Sequence, residues 1–151
     1  ISASGTSVEA GQLNIAAYTE VAQALASRFP KASKIAITLR ESYSADHNNW
    51  GAMLYDVAEA KSYLAPLAAD GSYCSYRIEN ILDRIGGGDS FSAGLIYALN
   101  TPEYATNPQK ALAFAVAASC LKHSIYGDYN RVTVSEVASL MNGNASGRVM
   151  R

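Results

Sequence analysis

Residues 83–94 read DRIGGGDSFSAG. Gly86, Gly87 and Gly88 are consecutive, and Asp89 leads from them into an apolar stretch containing Phe91, Leu95 and Ile96. A glycine run costs backbone entropy, and a carboxylate is out of place at the head of a buried segment. The first turn of a helix would account for both. Backbone N–H groups there lack intrahelical partners, the helix dipole adds partial positive charge, and missing side chains let an anion approach closely. A carboxylate beside a bound phosphate repels it, unless it serves to take a proton from a hydroxyl attacking that phosphate. The chemistry so indicated is phosphoryl transfer. Spacing alone also admits a plain helix start, in which glycine serves packing and Asp89 complements the dipole. Two other phosphate loops are excluded: Phe91 stands where a dinucleotide fingerprint starting at Gly86 needs its last glycine, and no Gly-Lys-Ser/Thr triplet occurs.

The elements that would position this corner alternate between helix and strand. Asn14 can cap a helix whose apolar residues Ala17, Val21, Leu25 and Phe29 recur every four positions, and Pro30 stops it. KIAITL, 34–39, is short and β-branched, as in a strand buried on both faces of a parallel sheet. ESYSADHNN, 41–49, is polar and turn-rich, and 50–57 and 72–81 read as further strands. Ser90–Leu99 and Lys110–His123 are Ala-rich with helical spacing, and Thr133 with Glu136 forms a capping box for a last helix. The glycine corner then lies between the end of a strand and the first turn of a helix. No repeat, linker or low-complexity segment interrupts the pattern, so one α/β layer structure is expected.

Composition narrows the partners. The 151 residues are 49% hydrophobic and 17% charged, enough for one domain with a core. Twelve basic and thirteen acidic residues leave a net charge of −1, so no global field draws the chain to nucleic acid or to a membrane surface. The longest apolar run, 111–121, is too short to span a bilayer, and the N-terminal residues lack a signal-peptide pattern, so a cytoplasmic protein is expected. Cys74 and Cys120 lie far apart without metal-spaced companions and are expected to be buried thiols. The sequon at Asn144 matters only in a secreted chain and is set aside. The chain opens on Ile1 and ISASGTSVEAGQ reads as the tail of a loop, so a piece of something longer is expected.

Residues 83–94 resemble the C-terminal signature of the ribokinase-like PfkB carbohydrate kinases: Asp, two residues, Gly-Ala/Gly-Gly-Asp, one residue, Phe and a later Gly. AITL at 36–39 resembles the strand before that family's ATP loop, and FAVAASCLKHSIYGD, 114–128, its Ala-rich helix and exit. Within the family, ITLRESYSADHNNW, DRIGGGDSFSAGLIYAL and KHSIYGDYN together are most similar to the 2-keto-3-deoxygluconate kinases.

The resemblance implies a ribokinase-like doubly wound α/β sheet with helices on both faces. Residues 1–151 would form its C-terminal, ATP-binding part, without the lid and with little turnover in isolation. It implies Asp89 as catalytic base, also touching the sugar, and Gly86, Gly87 and Gly88 as the anion hole, with Gly87 in place of the commoner Ala. Thr38, Leu39, Arg40, Glu41 and Ser42 match the nucleotide-side loop, joined there by Gly86 and Gly88. The family's usual glycines after the strand are here Arg40 and Glu41, and Arg40 is either a phosphate contact or a solvated charge. Asp83 and the carbonyl of Ile85 match a monovalent-cation site. Asp128 matches a sugar-contacting position, although Gly-Asp after a helix is also an ordinary turn. Lys122 and His123 are placed outside the site as partners of the helix dipole. Tyr43, Trp50, Tyr55 and Tyr63 are read as core and rim. ATP, Mg²⁺ and K⁺ are the cofactors so implied, a sugar acid the other substrate, and a homo-oligomer is allowed for. Fructose, ribose or a nucleoside as acceptor stays open, as does a non-catalytic module binding a phosphate metabolite.

Overall fold

The computed structural model describes residues 14–42 and 47–143; Tyr43, the opening loop segment and the sequon lie outside them. The order is α1 (Ile15–Arg28), β1 (Lys34–Ser42), β2 (Asn48–Asp56), β3 (Lys61–Ala65), β4 (Tyr76–Ile78), α2 (Gly87–Leu99), α3 (Pro102–Ala105), α4 (Pro108–Lys122) and α5 (Val134–Met141).

β2 is the centre of a four-stranded sheet. β1 runs antiparallel along all of it, from Lys34 opposite Asp56 to Ser42 opposite Asn48. Its other edge is divided, with β3 opposite Ala52–Asp56 and β4 opposite Asn48–Trp50. Lys34 and Asp56 close the hairpin with an ion pair, and Asp56 also accepts from the amides of Ala58 and Glu59. The Lys34 hydrogen bond, ahead of those amides, holds the Asp56 carboxyl below its usual range.

Side-chain alternation along β2 sends its residues into two cores. Met53 and Tyr55 join Leu39 and Ala22 on the α1 side, whereas Trp50, Ala52 and Leu54 meet α4 on the opposite side. Helices therefore cover both faces, as the α/β expectation requires. α4 is apolar all round and buried almost throughout, the pattern of a central helix. α2 lies close against it because Gly94 has no side chain: a Cβ there would sit 3.1 Å from Ala115 Cα.

Several expectations need correction. The 34–39 strand pairs antiparallel rather than parallel and is only partly buried, because a short polar link joins it to β2 as a hairpin. Of the strand expected over 72–81 only Tyr76–Ile78 forms, and Asn80 at φ 57° turns the chain away. β3 and α3 were not anticipated. The buried line of α1 centres on Ala22, with Tyr18 and Ala26 beside it, while Phe29 is 54% exposed at the C-cap. Asn14 caps that helix as expected, and the Thr133–Glu136 capping box is present. Cys120 is buried, which pushes its thiol up to about 12, but Cys74 is exposed. Trp50 and Tyr55 are core and Tyr63 packs at its edge. Among the described residues no helix is long and apolar enough to cross a membrane.

Candidate active site

The glycine corner begins α2. Gly86 is the N-cap, at φ 76°, a left-handed conformation that suits glycine. A Cβ on it would collide with the backbone carbonyl of Asp128. Gly87 is buried and Gly88 exposed, and around Gly88 a Cβ would meet nothing within 4 Å. The Gly87 amide lies 3.4 Å from the Arg84 carbonyl, and the helix's own bonding starts with Ser90 N–H to Gly86 O at 2.8 Å. The amides of Gly88 and Asp89 thus sit in a helical first turn with open space in front of the Gly88 Cα. Asp89, in the same turn, is exposed. The helix start was expected at Ser90 and comes at Gly87; an irregular segment, 79–86, precedes it instead of a strand.

Two loops converge on the corner from behind. Asp83 Oδ1 accepts from Ile85 N–H and Oδ2 from Gly127 N–H, both at 2.9 Å, so one carboxylate ties the turn before α2 to the turn after α4. These bonds, that from Ile85 first, hold the Asp83 carboxyl below its usual range. Asp128 brings its carbonyl against Gly86 and leaves its side chain exposed.

His123 was expected outside the site, and here the structure differs. It is 3% exposed, and a Cβ on Gly87 would lie 3.2 Å from its Cε1. α4 is enclosed on all sides, so its final turn carries His123 inward rather than to solvent. Lys122, also fully buried, donates from Nζ to the Ile125 carbonyl at 3.0 Å and secures the turn leading to Gly127. Neither acts as an exposed partner of the helix dipole.

The five residues of the nucleotide-side segment are split by the pleat of β1. Thr38 lines a shallow cavity of about 430 Å³ with Ala36, Gly88, Phe91 and Ser92, which brings it to the glycine corner. Arg40 is exposed and donates to Ser42 Oγ at 2.9 Å. Leu39 is 1% exposed within the α1-side core, and Glu41, two positions on, accepts from Asn49 at 3.0 Å. The Leu39 side chain therefore cannot line a nucleotide cleft. Among the described residues no group of three or more His, Cys, Asp or Glu could hold a metal ion.

The arrangement offers anion-binding amides, an exposed carboxylate within one helical turn of them, and a hydroxyl-bearing strand residue across a shallow cavity. Solved structures resemble the chain in fold. The chain is 34% identical to a 2-dehydro-3-deoxygluconokinase of Thermotoga maritima, with a TM-score of 0.73 over 88% of this chain and 36% of that one. A PfkB family carbohydrate kinase of Listeria grayi matches at 28% identity and a TM-score of 0.68, over 88% of this chain and 40% of that one. A candidate 2-keto-3-deoxygluconate kinase of Enterococcus faecalis matches at 27% identity and 0.66, over 93% and 36%. The chain spans well under half the length of each. No protein-family model matches the chain, and no curated protein does.

Proposed function

We propose, from the fold this chain shares with PfkB carbohydrate kinases, that it is the C-terminal, ATP-binding part of a cytoplasmic sugar kinase. The reaction is transfer of the γ-phosphoryl group of ATP to a hydroxyl of a sugar or sugar acid. 2-Keto-3-deoxygluconate, giving its 6-phosphate, is the acceptor we favour, because two of the similar structures bear that substrate's name. The observation that carries the proposal is the start of α2, where an open glycine amide turn and an exposed carboxylate share one helical turn.

Asp89 is the base in this reading. It takes the hydroxyl proton as the oxygen attacks, and the Gly86–Gly88 turn stabilises negative charge on the transferring group. Thr38 and Arg40 are assigned to the nucleotide in this reading, and the exposed Asp128 to the sugar. The open turn fits the phosphates of ATP. Mg²⁺ supplies charge neutralisation between those phosphates, and nucleotide oxygens and water would provide most of its ligands. Asp83, kept ionised by its two amide partners, and the Ile85 carbonyl fit a monovalent cation such as K⁺, which would stiffen the same turn.

In the intact protein, Asp89→Asn is expected to lower kcat by about 10²–10⁴-fold, the ordinary worth of a positioned base, with ATP affinity kept. Steady-state kinetics and calorimetric titration with a non-hydrolysable ATP analogue check both halves. Undiminished kcat in the variant would overturn the reading. A panel containing 2-keto-3-deoxygluconate, fructose, ribose and a nucleoside identifies the acceptor. Phosphate binding without turnover on any acceptor would point to a non-catalytic module.

A further inference from the structure

Directly behind the anion-binding turn stands a histidine that the proposed reaction does not itself use. The His123 imidazole is buried, and its Nδ1 lies 2.9 Å from the Ser119 carbonyl. A carbonyl only accepts, so Nδ1 carries the proton and donates. Burial holds the His123 pKa below its usual value, so the ring is neutral and Nε2 has no hydrogen. Cε1 and Nε2 face Gly87, at 3.2 and 3.4 Å from where a Cβ would be. Trp50 packs edge-on against the same ring, at 4.9 Å between centroids and 61° between planes. Ser119, whose carbonyl fixes the ring, sends its own hydroxyl to the Gly87 carbonyl at 2.8 Å. The main-chain carbonyl of His123 receives Leu82 N–H at 2.9 Å and Asp83 N–H at 3.4 Å.

His123 therefore holds the start of the turn through its backbone carbonyl, and its ring fixes Ser119, whose hydroxyl holds Gly87. We infer that His123 is a positioning residue which, with Ser119, fixes the orientation of the Gly87–Asp89 amides toward the transferring phosphoryl group. This rests on the reading of the corner as a phosphoryl-transfer site. Donors preset toward developing charge need no reorganisation during the reaction, and a shift of about 1 Å in such a group can reduce rate by about a hundredfold. A residue that fixes them acts on kcat more than on KM for the acceptor.

The test uses the intact kinase, with kcat scaled to the folded fraction measured by circular dichroism. His123→Gln removes the Nδ1 donor and the flat ring beneath Gly87, and is expected to lower kcat at least tenfold with acceptor KM within about twofold of wild type. His123→Asn keeps an N–H near the Nδ1 position and is expected to recover part of that loss. A role in folding alone would reduce the amount of folded protein and leave kcat per folded molecule unchanged in both variants, which would overturn the inference. Asp89→Asn is run beside them: if it abolishes turnover while the His123 variants match wild type, only the positioning role fails. If Asp89→Asn retains full turnover, the underlying reading fails and the inference with it.

Discussion

Gly86 and Gly88 stand two residues apart and call for opposite expectations. At Gly86 a side chain meets the Asp128 carbonyl and an adverse φ together, so Gly86→Ala is expected to destabilise the fold by about 1–3 kcal/mol. At Gly88 there is open space and helical backbone, so Gly88→Ala should leave stability within about 1 kcal/mol of wild type. Its effect belongs to the ligand, as a raised KM for ATP, because the methyl group stands where a phosphate would approach. Urea unfolding and kinetics on the two variants separate the roles. Asp83 has a pH signature. Its folded-state pKa is depressed, so its contribution is complete above the usual carboxylate range, near pH 4, and is lost as pH falls toward the folded value. Asp83→Asn should flatten that acid limb in pH-dependent unfolding. The corner was legible because glycine and aspartate are unusual at the head of an apolar segment. The place of His123 was not, since a histidine at a helix end reads the same whether its ring faces solvent or the interior. The clue available was the apolar character of 111–121, broken only by Ser119, which leaves the end of α4 little surface to reach.

The most consequential contact between elements is α2 against α4, where the backbone of one meets the backbone of the other at Gly94. Gly94→Val would press into Ala115 and Ala118 and is expected to cost about 1–3 kcal/mol, read as a lower urea midpoint. It would also move the helix that carries Asp89. Helices were easier to read than strands in this sequence. Caps at Asn14 and Thr133 bind through their own side chains, so local chemistry marks the ends. Strand direction is decided by the connection, and the short polar link 43–47 between two apolar runs already favoured a hairpin over a crossover. β3 escaped because its five residues alternate too briefly to stand out, and the strand read over 72–81 shortens to β4 because pairing with β2, rather than propensity, decides which of those residues form it.

At the scale of the molecule, two cores on either side of β2 join α1, the hairpin and the α2–α4 pair into one body that carries the corner. The kinases it resembles are about two and a half times as long. Among the described residues, β1 pairs only with β2, so about every second one of its nine residues turns its amide and carbonyl outward on the other flank. Amide and carbonyl groups arrayed in that way are a template, and any extended polypeptide of suitable length can zip onto it. Prepared by itself, the chain should therefore stick to its own kind, with light scattering that climbs as concentration rises. A larger protein that lays a ribbon of its own along that flank would stay dispersed at the same concentration.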